Sequence, residues 1–151
     1  MLKAVFAVAM LCLLIWPSVR AAEVPISMVI SATSEVVKRD EDVKINLVVA
    51  NNSAGPIEFF HQMEYSVAAP DGFSVIGPDG APAALLAQRP SPSTTNVEVL
   101  QPGEEAHGWL NVNAIFDMAR AGIYKIQFAH GVVAAGSVQK LSSNVIYVTV
   151  M

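Results

Sequence analysis

Leu100-Gln-Pro-Gly-Glu-Glu-Ala-His-Gly-Trp-Leu-Asn-Val-Asn-Ala-Ile-Phe-Asp-Met-Ala-Arg-Ala-Gly-Ile-Tyr-Lys-Ile-Gln-Phe128 is the stretch on which the fold turns. Pro102-Gly103 reverses the chain, and Gly122 to Phe128 alternates apolar and polar residues with the period of a half-buried strand. Between them, Asn113 to Ala119 is expected to make a single helical turn. Asp117, Gly122 and Tyr124 carry the pattern of a tyrosine corner, in which a hydroxyl near the start of a strand bonds back to the backbone of the preceding corner. The stretch therefore reads as strand, crossover and strand of a two-sheet sandwich.

Working outward, Pro25 to Thr33 reads as a first strand, and Val43-Lys-Ile-Asn-Leu-Val-Val-Ala50 alternates cleanly. Val43, Ile45, Leu47 and Val49 share one face, which is assigned to the core. Between these two strands, Lys38-Arg39-Asp40-Glu41-Asp42 makes a solvated turn. Asn51 to Pro56 is a turn cluster, Ile57 to Phe60 opens the next strand, and two Pro-Asp-Gly tripeptides, Pro70 to Gly72 and Pro78 to Gly80, bracket a strand over Phe73 to Gly77. Residues 81–87 fit a strand or a short helical turn equally well, and Gln88 to Thr95 is the longest irregular segment. Asn96 to Leu100 and Ser143 to Val150 complete the set. Eight or nine short strands, with no amphipathic helix of useful length, predict an all-β, immunoglobulin-like antiparallel sandwich.

Of the 151 residues, the first 21 have the order of a secretory signal: Lys3, the uncharged run Ala4 to Trp16, and a small-residue exit ending at Ala21. Cleavage there leaves a single domain over residues 22–151, exported to the periplasm or beyond, with the membrane met only through the segment removed. Cys12 goes with the signal, so the mature chain has neither disulfide nor thiol chemistry. Seven basic residues then stand against thirteen acidic ones, and the basic ones are scattered. That balance argues against nucleic acid and anionic membranes as partners, since both need clustered Lys and Arg.

Asn51 to Phe59, Pro78-Asp-Gly80, Leu100-Gln-Pro-Gly-Glu104 and Ala121-Gly-Ile-Tyr-Lys-Ile126 together resemble the immunoglobulin-like domain of the intracellular proteinase inhibitor (BsuPI-like) family and its secreted bacterial relatives. The resemblance covers Val43 to Phe128 and implies an immunoglobulin-like sandwich. The chain departs from the namesake inhibitors in its export signal and in its last strand, and no inhibitory residue carries over.

No catalytic constellation stands out. Gly-x-Ser-x-Gly is absent, and Asp71, Asp79, Glu104 and Glu105 sit beside turn residues, where carboxylates bond local backbone. His61 and Met63 share one strand face and resemble half of a periplasmic copper site, with His107 and His130 able to complete it only if the fold brings them together. Trp109, between Gly108 and Leu110, is expected as a core anchor, with a surface aromatic for sugar or peptide stacking as the alternative. Asn51-Asn-Ser53 matches a glycosylation sequon and is read as turn chemistry. The resulting expectation is a non-catalytic module without cofactor, metal or catalytic residues, recognising a protein or other macromolecule through loops or an edge strand. A proteinase inhibitor using Gln88 to Asn96, and a copper protein, are the alternatives.

Overall fold

The computed structural model describes residues 25–61, 72–86 and 96–151. Nine strands are present among them: β1 Ile26–Ala32, β2 Val36–Val37, β3 Lys44–Asn51, β4 Ile57–His61, β5 Phe73–Ile76, β6 Asn96–Leu100, β7 Glu105–Asn111, β8 Gly122–Ala134 and β9 Ser137–Val150. One sheet has the order β1-β3-β7, and the other β2-β9-β8-β4-β6 with β5 also paired to β8. All pairs are antiparallel except β2 with β9. This is the all-β, immunoglobulin-like sandwich that the strand pattern predicts. The signal segment lies outside the described residues.

The core follows from alternation. Val43, Ile45, Leu47 and Val49 are all buried, and they share one hydrophobic cluster with Ile26, Met28 and Ile30 on the neighbouring strand β1 and with Tyr124, Ile126, Val132, Val148 and Val150 on the other sheet. Each such side chain withdrawn from water contributes about 1.5–3 kcal/mol before chain entropy is counted.

Two polar devices pin the corners. Asn51 is fully buried, and its amide nitrogen donates to the carbonyls of Gly55 and Leu100, each at 2.9 Å, while its oxygen accepts from Ser53 N at 3.0 Å and Ser53 Oγ at 2.6 Å. The sequon asparagine thus ties β3 to the end of β6, as turn chemistry. At the other corner, Tyr124 is 1% exposed and its hydroxyl donates to the carbonyl of Arg120 at 2.9 Å. Burial pushes the phenol pKa up, which keeps the proton that makes this bond. Asp117 Oδ1 accepts from Ala119 N at 3.0 Å, and Gly122 holds φ +136 with Pro78 where a Cβ would stand. The helical turn of the corner is a 3-10 turn over Val112–Ala114, at the start of the range expected.

Three expectations need correction. The strands over 122–128 and 143–150 are the outer halves of a 13- and 14-residue hairpin, not short separate strands. Ala135 (φ 50) and Gly136 (φ 74) supply the two left-handed residues of its tight turn, which twists in the same sense as the strands it joins. Val36–Val37, left unassigned by the pattern, is a strand because β9 pairs with it. Residues 81–86 are neither helix nor regular strand: Pro82 bridges to Ile76 and Leu85 to Phe116.

Tyr124→Phe removes one part-buried hydrogen bond and leaves the Arg120 carbonyl without its partner. It is expected to lower unfolding free energy by about 1–3 kcal/mol, measured from the denaturant midpoint at unchanged slope.

Candidate functional site

A sandwich exposes backbone hydrogen-bonding groups only along the outer edges of its sheets. In the three-stranded sheet those edges are β1 and β7, and they are treated differently. On β1, Ile30 N donates to Asn144 Oδ1 at 2.8 Å and Asn144 Nδ2 donates to Ile30 O at 3.0 Å. One side-chain amide therefore occupies both groups that a neighbouring strand would use at Ile30. Asn144 reaches β1 because β9 carries an extra residue opposite Phe128, where the register shifts between Gln127 and Ala129. The bulge is held by Ser143, whose hydroxyl accepts from Phe128 N at 2.9 Å and whose carbonyl accepts from Gln127 Nε2 at 3.0 Å.

Among the described residues the β7 edge has no such cover. Antiparallel ladders alternate between residues whose N–H and C=O face the partner strand and residues whose groups face away. Val112 N donates to Val43 O at 2.9 Å and Asn51 N to Glu104 O at 3.0 Å, so the even-numbered residues bond β3. The backbone groups of Glu105, His107 and Trp109 point to the free side, where no described residue pairs with them.

The side chains of those three residues stand together on the sheet's outer face. Ala106 is buried on the inner face, while Glu105, His107 and Trp109 are exposed. Trp109 is 57% exposed, which corrects the expectation of a core anchor. Its parity on β7 is the opposite of Ala106, Gly108 and Leu110, and the small Gly108 is what meets the interior. Trp109 lies across from Asn46, and His107 from Val48, which in turn pairs with Val29. His107 Nε2 is 3.4 Å from Glu105 Oε2. The surface is thus an indole beside an amide, a valine pair and an acid–imidazole pair, bordered by an open strand edge.

The other candidates do not converge. His107 faces outward from one sheet, whereas His130 lies on the other, on the same side of β8 as buried Val132 and Ala134. The fold does not bring these two together. The His61 side chain and Met63 lie outside the described residues, as do Asp71 and residues 88–95 of the proposed inhibitory loop. Among the described residues no group of three or more His, Cys, Asp or Glu is placed to hold a metal. Asp79 is engaged locally: Ala81 N donates to it, Arg120 pairs with it, and both hold its carboxyl below the ordinary value, the backbone bond foremost. Glu104 Oε2 accepts from Gln101 N at 2.7 Å.

His130 itself is a packing residue. Its ring meets Phe59 edge-on at 5.2 Å and stacks on Phe128 at 5.8 Å, and its Nε2 is buried with no hydrogen-bond partner among the described residues. Burial lowers its pKa. As pH falls past the ordinary histidine value of about 6.5, the unfolded chain takes up a proton that the folded chain resists. Stability from this group is therefore full above that pH and declines below it. His130→Phe is expected to flatten the fall in melting temperature between about pH 7.5 and about pH 5.5; an unchanged slope would assign that fall to other groups.

No family model matches the chain, so none stands behind the BsuPI-like resemblance, and no curated protein matches it. Among solved structures it is similar to the CARDB domain of a protein from Pyrococcus furiosus in complex with di-metal ions, at 13% identity and a TM-score of 0.44, over 83% of this chain and 87% of that one. The sandwich assignment stands on this chain's own strand order and register.

Proposed function

We propose that the chain is an exported, non-catalytic binding module that takes up an extended segment of a protein partner along β7. The observation that carries this reading is the β7 edge at Glu105, His107 and Trp109, whose backbone groups point outward to a position that no described residue fills and whose side chains stand on the adjoining outer face. An added strand gains main-chain hydrogen bonds for affinity, and side-chain contacts at alternate positions for selectivity. Trp109 supplies a large rigid surface at little entropic cost, of the kind that dominates interface energies. Export is proposed from Lys3, the apolar run and the small-residue exit at Ala21. The acidic, dispersed charge of the remaining chain favours protein over nucleic acid.

The edge can be closed without touching the fold. His107 N–H points away from β3, so His107→Pro removes a free-edge donor and places a ring in the path of an incoming strand, a substitution that sheets tolerate at edges. The expected result is an intact sandwich with a nearly unchanged melting temperature and loss of partner capture from an extract of the exporting compartment. Trp109→Ala should weaken the same capture by about tenfold or more. Gly108→Pro, one residue on, deletes a bond to β3 and should destabilise the fold. Full capture by a folded His107→Pro variant would remove β7 from the reading.

A further inference from the structure

The order β1-β3-β7 lies over the longer path β2-β9-β8-β4-β6. Asn144 of β9 bonds Ile30 of β1, which seats β1 over β9, and the short turn after Leu100 carries the chain from β6 to β7 on the far side of the sandwich. Counting outward from β1, β3 lies over β8, β7 over β4, and the position beyond β7 over β6. A single added strand there has β6 behind it. A second copy that paired its own β7 antiparallel at the same place would drive its β4 and β6 into the space that β6 and β4 of the first copy occupy. The position therefore suits one extended segment rather than the edge of another sandwich of this kind.

The side chains beside that position fix what the segment carries. Three rows cross the outer face of the sheet and end at its open edge: Ser27, Ala50 and Glu105; Val29, Val48 and His107; Ser31, Asn46 and Trp109. These rows hold one carboxylate, that of Glu105, and no Lys or Arg. Lys44, one row beyond Trp109, stands 3.6 Å from Asp42. The chain as a whole carries a formal charge of −4, which draws a basic partner and repels an acidic one.

We infer, resting on the strand-addition reading, that the β7 edge selects an extended segment with a Lys or Arg opposite Glu105 and a large apolar residue opposite Trp109. Because the backbone groups of Glu105 and Trp109 face outward, each forms a directly opposed, hydrogen-bonded pair with a residue of an antiparallel segment, and the paired side chains stand together on the outer face. Opposite charges so placed stabilise the pairing and like charges oppose it, while an aromatic side chain favours an apolar or β-branched neighbour. All pairs in this sheet are antiparallel. Running against β7, the segment meets Trp109 first and Glu105 four residues later, so its pattern is an apolar residue followed four positions on by a base.

The test uses capped, fluorescently labelled peptides of a Thr-rich extended sequence, with Ile at one position and Lys four residues later, titrated into the purified chain and read by anisotropy. A second peptide replaces Lys by Glu, and a third exchanges the Ile and Lys positions. The first should bind about fivefold or more tightly than the second, and more tightly than the third. Glu105→Lys, at an exposed position, should leave the circular dichroism unchanged and reverse the preference between the Lys and Glu peptides. His107→Pro should abolish binding of all three. Binding that survives His107→Pro would remove the edge reading itself, and this inference with it. Binding lost in His107→Pro but indifferent to the exchange of Lys for Glu, or unswitched by Glu105→Lys, would overturn the basic pattern and leave the edge standing. Equal binding of the third peptide, no binding of any peptide at millimolar concentration, or self-association of the chain that His107→Pro abolishes would each overturn it as well.

Discussion

Every backbone N–H and C=O that a sheet does not pair internally must be met by water, a side chain or another chain, and that requirement distinguishes the two edges of the three-stranded sheet among the described residues. The three-stranded sheet makes the point within a single layer. On its β1 edge the Asn144 amide covers Ile30, reproducing there the two hydrogen bonds a strand would make. Its β7 edge carries Trp109 and His107 and no described partner. With Ile30 covered by a dedicated side chain, itself aimed by a bulge that Ser143 satisfies, β7 is the edge on which the proposed strand addition rests.

The rest of the fold serves to hold these edges in place. Tyr124 closes the corner from which the long hairpin rises, and Asn51 fastens β3 to the turn that leads into β7. Because β3 is the central strand, the same residue that anchors that turn also sets the register in which Trp109 comes to lie beside Asn46 and His107 beside Val48. Loss of either polar corner is therefore expected to loosen the sheet before it touches the surface chemistry.

Much of the fold was legible because its signals are local. Alternation over Val43 to Val49 identified the core face, the Pro-Gly and Asn-Asn-Ser clusters identified turns, and the spacing of Asp117, Gly122 and Tyr124 identified the corner whose hydrogen bond the structure contains. What escaped depends on pairing partners far along the chain. Residues 129–142 mix His, Gly, Gln, Lys and Ser, and only pairing with each other and with β4 makes them strands. The role of Asn144 requires both a bulge and a strand over a hundred residues earlier. Trp109 was misplaced because a lone tryptophan suggests a core, although the parity set by Ala106, Gly108 and Leu110 was already in the sequence and would have placed it outside.

Residue-resolved amide hydrogen exchange on the free protein tests the central claim most directly, because it reads the accounting of the edges one group at a time. On this account Glu105, His107 and Trp109 exchange quickly, while Ala106, Gly108 and Leu110, bonded to β3, and Ile30, covered by Asn144, exchange slowly. Equal protection along β7, or an Ile30 amide as fast as that of His107, would contradict it.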